Sequence, residues 1–464
     1  MTLARRLANR LRSLRAASIP EEVREAAKLH LLDAVGVGLA AAGTGAGRPY
    51  LEAAFGLGGD GPASILGSGG GFAPATAALA NGSLIHALEY DDTHTASIVH
   101  GSSVIAAAAL AAAEGTRASG DDLLTAYIVG LEALIRIGLA APGRFQARGF
   151  HVTSVGGSMA AALVGATLLG LDEDGAVDAM GIALSQASGV FEFLANGSTV
   201  KSLHAGWAAH AGLVAAELAR SGLRGPETAF EGRFGLFRQF AGDAEAAERF
   251  ARGIATLGEV WHLPQVAFKF YPCCHYIHPF LEALDLALEQ APDSAIESIV
   301  CEVPPGAALV ICEPWARKLA PESGHEARYS LPVALAARLV DGAVTPATFD
   351  TIPRPQILSR ATCVSTREMN DAQFPQRFEA RLHVRFADGR RVSTYVEDVF
   401  GGTRRPPSRE AVLAKFRANA TLAGADEAAA LEAAILSIEA RSIGDVTRAL
   451  RAVRRERTTY ETVA

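Results

Sequence analysis

Four short stretches concentrate the side chains that can move protons or hold anions. The first is HALEYDDTH, residues 86–94, with His100 close behind. Its acids Glu89, Asp91 and Asp92, its imidazoles His86, His94 and His100, and the Thr93 hydroxyl stand in an Ala-rich, apolar context. Burying such groups is costly unless they are paired, which favours a functional pocket over accident. The competing reading is a polar helix end with Asp91 or Asp92 as a cap. The second stretch is GFHVTS, residues 149–154, set just before a charge-free run. A histidine at a helix N-terminus is held neutral by the helix dipole and suits a base, and the same helix end can receive a carboxylate. A plain cap by Thr153 or Ser154 is the alternative.

The third stretch is GSTVKSLHAG, residues 197–206. Lys201 opens a helix, an unfavourable place for a cation, in a chain whose only lysines are Lys28, Lys201, Lys269, Lys318 and Lys415. His204 shares its face, and His210 falls on the opposite side. The fourth is KFYPCCHYIH, residues 269–278. Cys274 and His275 suggest a thiolate–imidazolium pair, but adjacent Cys273 and Cys274 read better as small buried hydrophobes.

The elements that must position these groups are mostly helices. Residues 73–92, 102–115, 120–141, 154–171, 174–190 and 201–222 each read as one helix, rich in small residues that let axes approach closely. Leu3, Leu7, Leu11 and Leu14 have the spacing of an amphipathic first helix rather than a transit peptide. After residue 262 the pattern changes. Residues 298–304 alternate as a strand, residues 378–398 form a hairpin around Asp388-Gly389, and residues 329–342 form a helix between them. The expectation is a mainly α protein, with a large all-helical domain made from both chain ends (1–264 and 401–464) and a smaller α+β lid domain (265–400).

Composition narrows the function. The chain has 464 residues, 49% hydrophobic and 20% charged, with a formal net charge of −7 and 7% aromatic residues. That excludes a predominantly disordered chain and speaks against a nucleic-acid binder. Five cysteines without even spacing, and no C-x-x-C, suit a reducing cytoplasm rather than a disulfide framework. Residues 152–171 carry no charge for twenty positions but are built of Gly, Ala and Ser, so a buried helix fits better than a membrane span. No G-x-G-x-x-G follows a strand and no Walker loop occurs. Amines, imidazoles, acids and a hydroxyl without a nucleotide or metal motif suit proton chemistry next to a carboxylate.

The segments NGSLIHALEYDDTH, GFHVTSVGGSMAAALVGATLLGLD, NGSTVKSLHAGWAAHAGLVAAELARSG, KFYPCCHYIHPFLEAL and YSLPVALAARLVDG resemble the MmgE/PrpD family of 2-methylcitrate dehydratases, cis-aconitate decarboxylases and iminodisuccinate epimerase-like proteins. The match runs nearly the whole length in family order. The resemblance implies a homodimer without metal or organic cofactor, and a site drawing on Glu89, Thr93, His100, His151, Lys201, Lys269 and one of His275 or His278. Two departures stand out: the family's first acid is Glu89 here, and a position often Tyr in relatives is Val333, with Tyr329 nearby as a substitute. The H-P-S-D-N-type run of methylcitrate dehydratases is missing after Thr93.

The expected function is therefore a cofactor-independent lyase of the dehydratase type, acting on a small di- or tricarboxylate such as 2-methylcitrate by proton abstraction α to a carboxylate. His151, Lys201, His100 and Lys269 are the expected catalytic residues, and Glu89, Asp92, Thr93, His275 and His278 the expected substrate-binding ones. A cis-aconitate-type decarboxylase or an aminodicarboxylate epimerase is the alternative within the family. Outside it stand a helical metal-dependent phosphohydrolase using His86, Asp91, Asp92, His94 and His100, and a non-catalytic binding protein. No nucleic acid, membrane or metal is expected as partner.

Overall fold

The computed structural model describes residues 1–14, 18–195, 197–424 and 428–454. In chain order the elements are α1 (Leu3–Ser13), α2 (Glu21–Ala42), α3 (Arg48–Leu57), β1 (Asp60–Ser64), β2 (Gly71–Phe72), α4 (Pro74–His86), α5 (Gly101–Thr116), α6 (Gly120–Ala140), α7 (Arg144–Ala147), α8 (Val152–Leu168), α9 (Glu173–Gln186), α10 (Lys201–Arg220) and α11 (Ala246–Ala255). There follow α12 (His278–Glu289), β3 (Ile296–Val303), α13 (Pro305–Ile311), α14 (Trp315–Leu319), α15 (Gly324–Ala327), α16 (Leu331–Asp341), α17 (Pro355–Ala361), β4 (Val364–Glu368), β5 (Ala380–Phe386), β6 (Arg391–Val396), α18 (Arg409–Thr421), α19 (Ala428–Leu436) and α20 (Ile443–Ala452).

Two compact units result. The larger contains 1–87, 91–268 and the C-terminal segment from Ser408; the smaller contains Leu88–Tyr90 and Lys269–Pro407. The expected boundaries were 1–264 with 401–464, and 265–400; residues 455–464 lie outside the described residues. Among the described residues the larger unit is helical apart from the short β1–β2 antiparallel pair, which the small, polar residues around it do not announce.

Helices α4, α5, α8 and α10 form the centre of the larger unit. The sequence makes this possible through side-chain size. A Cβ on Gly206 of α10 would sit 2.1 Å from the Leu79 carbonyl of α4, and one on Gly212 would sit 2.4 Å from Ala161 Cβ of α8. Backbones at that distance leave room only for glycine. Residues 101–114 of α5 and 152–166 of α8 are all buried, which explains why neither first turn nor middle carries charge outside Glu114. α6 is the one described helix long and apolar enough to cross a membrane, and nearly all of it is buried inside the protein. At its N-terminus Ser119 and Asp122 form a reciprocal capping box. The C-terminal segment returns to this unit, with Lys415 of α18 placing its ammonium 2.7 Å from Asp33 of α2, both buried.

In the smaller unit, α12 and α16 pack with a four-stranded sheet of order β4-β3-β5-β6. β5 and β6 form the antiparallel hairpin expected from Asp388-Gly389, with Leu382 opposite Thr394. β3 matches the expected strand. β4, parallel to β3 at the other edge, has one buried residue, Val364, followed by four exposed ones, so it offered no alternating pattern to read.

Candidate active site

Within the larger unit the first three stretches converge. His86 is the last residue of α4, His100 is the N-cap of α5, His151 is the N-cap of α8, and Lys201 is the first residue of α10. Neither His100 nor His151 spends its side chain on capping its helix. The backbone holds them firmly. The His151 amide donates to the Gly189 carbonyl at 3.0 Å. Gly189 has φ 113°, and a Cβ there would meet Ser154 Cβ at 2.6 Å, so the position requires glycine. The His100 amide donates to the Thr153 hydroxyl at 3.0 Å, so Thr153, read from sequence as a cap, anchors a neighbouring helix instead. Thr93 is fixed by a two-way backbone pair with Ala267.

The rings form one cluster. Centroids are 4.7 Å apart for His86–His100, 5.8 Å for His86–His151, 6.0 Å for His100–His151 and 5.4 Å for His151–His204. His86 Nδ1 donates to Asp91 Oδ2 at 2.8 Å. His100 Nδ1 lies 3.4 Å from the same oxygen and 3.3 Å from the Thr93 hydroxyl. On the other side His151 Nδ1 and His204 Nδ1 approach to 3.2 Å, a contact that needs at least one neutral ring to accept.

Electrostatics divides the cluster. Burial, then Lys201 and the neighbouring imidazoles, push His151 well below the usual histidine range. Burial, with His86 and Lys201, takes His204 down to about 4. Both are neutral at physiological pH. Burial pushes the Asp91 carboxyl up, but His86 and His100 outweigh it and hold Asp91 well below the usual carboxylate range. The cluster therefore has a neutral half on α8 and α10 and a half built on a buried carboxylate.

Asp92 faces elsewhere. Its Oδ2 lies 2.8 Å from His30 Nδ1 and accepts from the Ser102 hydroxyl at 2.5 Å, which itself meets the Tyr127 hydroxyl at 2.7 Å. His30 stacks on Phe268 at 4.0 Å. This is a buried scaffold behind Asp91, and nothing in the sequence around His30 or Tyr127 signalled it. His94 pairs with Ser97 at 2.8 Å and is held at about 4, by burial first and then His262. The five residues considered for a phosphohydrolase metal are thus split. Instead, one ligand atom each from His86, His100 and His151 lies within 4.8 Å of the others. Imidazoles at that spacing suit a transition metal, but the N-termini of α5 and α8 and the Lys201 ammonium oppose a cation there and favour an anion.

The smaller unit holds the remaining expected residues. Lys269, buried, donates to the Glu89 carbonyl at 3.1 Å and sits 3.7 Å from its carboxylate. Glu89 itself has φ 52°, a left-handed conformation uncommon for a non-glycine residue. Arg328, fully buried, donates to the Leu88 carbonyl at 2.9 Å and so holds this segment; its own charge is disfavoured by burial, to about 10. Burial and then Glu89, with which it is hydrogen-bonded, push the Tyr329 hydroxyl well above the usual range, while Val333 is a core residue of α16. His275 and His278 are both buried, with ring centroids 4.9 Å apart, and His278 Nε2 meets the Cys273 carbonyl at 3.3 Å. Cys273 and Cys274 belong to the hydrophobic core. Burial drives the Cys273 thiol upward, away from any thiolate role.

Residues 5–249 match the MmgE/PrpD N-terminal domain and residues 271–440 match the MmgE/PrpD C-terminal domain. The chain belongs to the MmgE/PrpD family. Among its relatives, a cis-aconitate decarboxylase from Aspergillus terreus is 31% identical over 457 residues, covering 92% of this chain and 91% of that one. The cis-aconitate decarboxylase of Homo sapiens is 32% identical over 75% of this chain and 73% of its own. A cis-aconitate decarboxylase-like protein, oryM, of Aspergillus oryzae is 32% identical over 84% and 85%. MmgE/PrpD membership makes this chain an enzyme, and these relatives are lyases by name. His86 and Asp91 entered the sequence reading only as candidate metal ligands, Asp91 also as a helix cap, and His204 only as sharing the face of Lys201; the fold brings all three into the imidazole cluster.

Proposed function

We propose that this MmgE/PrpD protein is a cofactor-independent decarboxylase of a small unsaturated tricarboxylate, with cis-aconitate as the substrate. The observation that carries the reading is the convergence of two long-helix N-termini, those of α5 and α8, with Lys201 around an imidazole cluster. That arrangement favours carboxylates and has proton carriers in place. The decarboxylase names of the relatives support this reaction over the dehydration expected first.

Lys201 and the Thr93 hydroxyl bind substrate carboxylates. In cis-aconitate the leaving carboxylate sits on a methylene next to the double bond. The C–CO2 bond breaks, its electron pair forms the new terminal C=C bond, and the former double-bond pair moves onto the carbon α to a second carboxylate. A proton delivered to that carbon completes the product. Fixed positive groups stabilise the dienolate as its charge grows. His100, whose Nδ1 faces Asp91 and Thr93, delivers the proton, and neutral His151 orients the carboxylate beside the carbon being protonated. Incubation of purified protein with cis-aconitate, 2-methylcitrate or an aminodicarboxylate, followed by NMR, tests the assignment. CO2 release with a methylene-bearing dicarboxylate is expected from the first alone. Turnover of 2-methylcitrate without CO2 release would return the reading to dehydration.

A further inference from the structure

Asp91 has the geometry of a control element for the proton that the reaction consumes. It is completely buried, and among the described residues its Oδ1 has no hydrogen-bond donor, while Oδ2 takes His86 Nδ1 at 2.8 Å and lies 3.4 Å from His100 Nδ1. A buried carboxylate this poorly hydrogen-bonded needs a neighbouring positive charge, and the two imidazoles are what the structure places against it. Other groups near His100 push the other way. Lys201 and neutral His204 stand on α10, neutral His151 on α8, and the N-terminus of α5 is beneath His100 itself. The Asp92–His30 pair lies behind, with Ser102 bonded to Asp92 and Tyr127 to Ser102.

We propose that Asp91 is the positioning residue that, through the one carboxylate oxygen facing both rings, fixes His86 and His100 with hydrogen on Nδ1 and keeps the transferable proton of the site on this pair. His86, with no exposure and with no hydrogen-bond partner for Nε2 among the described residues, is the reserve half of the pair. The inference rests on the proposed decarboxylase reading for its kinetic arm only.

The test is Asp91→Asn, an isosteric change, with Asp91→Glu as the variant that restores a carboxylate. At pH 7.5 Asp91→Asn should lower kcat on cis-aconitate at least tenfold with KM within about threefold, and the deficit should shrink as pH is lowered by one to two units, because acid re-protonates the unsupported imidazole. Asp91→Glu should follow the wild-type profile. A loss equal at every pH, or no loss, would overturn the proposal. Histidine ring NMR reads the same property without substrate: the pair's apparent pKa should fall by at least one unit, a tenfold change in proton affinity, in Asp91→Asn. An unchanged titration would also overturn it. Because the NMR arm needs no turnover, failure of cis-aconitate as substrate leaves this result intact and separate.

Discussion

Lys201 is the residue whose removal should be most informative. It is buried, faces His151 and His204, and supplies the fixed cation of the larger unit's site. Lys201→Met should reduce kcat/KM on cis-aconitate by at least about a thousandfold, at the scale of a lost electrostatic stabiliser, with circular dichroism unchanged. Chelation makes the opposite prediction: dialysis against EDTA should leave activity unaltered, since the field around the three imidazoles favours anions, and a loss restored by zinc would contradict this. At this scale much was readable in advance. Lys201, His100, His151 and Thr93 were visible because each is an unusual residue type in an Ala-rich setting. Asp92 was readable as an acid but not as a scaffold group, because its partner His30 lies 62 residues away in sequence and Tyr127, which reaches it through Ser102, lies 35 residues away.

Helix α10 shows how an element sets the site. Lys201 and His204 reach the cluster because Gly206 lets α10 touch α4 at the backbone and Gly212 lets it touch α8. Gly206→Val should therefore push the helices apart, costing at least about 3 kcal/mol by overpacking, and should lower kcat together with stability; a chemical-denaturation midpoint within error of wild type would contradict the packing account. The helices were legible from their apolar runs and glycine punctuation, and the β5–β6 hairpin from its Asp-Gly turn. The end of α4 was not. The expected helix ran to Asp92, whereas α4 stops at His86 and the chain turns through Glu89 at φ 52°. A left-handed glutamate has no sequence signature, and its cost is borne by tertiary contacts such as Arg328 to the Leu88 carbonyl.

For the whole molecule, buried titratable groups set how stability depends on pH. His94, His151 and His204 all have folded-state values depressed below the 6.5 of an unfolded chain. The unfolded state then binds more protons below that pH, so their contribution is present above about 6.5 and is lost as pH falls toward 4. Tm should drop between pH 7 and pH 5; a flat or rising Tm would contradict the neutral assignments. Lys415 and Asp33 form a buried ion pair between the chain's two ends. Lys415→Met leaves a buried carboxylate alone and should cost about 3–5 kcal/mol, and replacing Asp33 by Leu in the same chain should recover much of it. The sequence expected both chain ends in one domain, but the Lys415–Asp33 pair was not legible, since a lone lysine in α18 resembles any surface lysine. The most direct measurement of the central claim is the product formed by purified protein from 13C-labelled cis-aconitate. The account predicts one equivalent of labelled CO2 and one methylene-bearing dicarboxylate per turnover, absent with Lys201→Met. Intact cis-aconitate after prolonged incubation, or equal CO2 release by the variant, would contradict it.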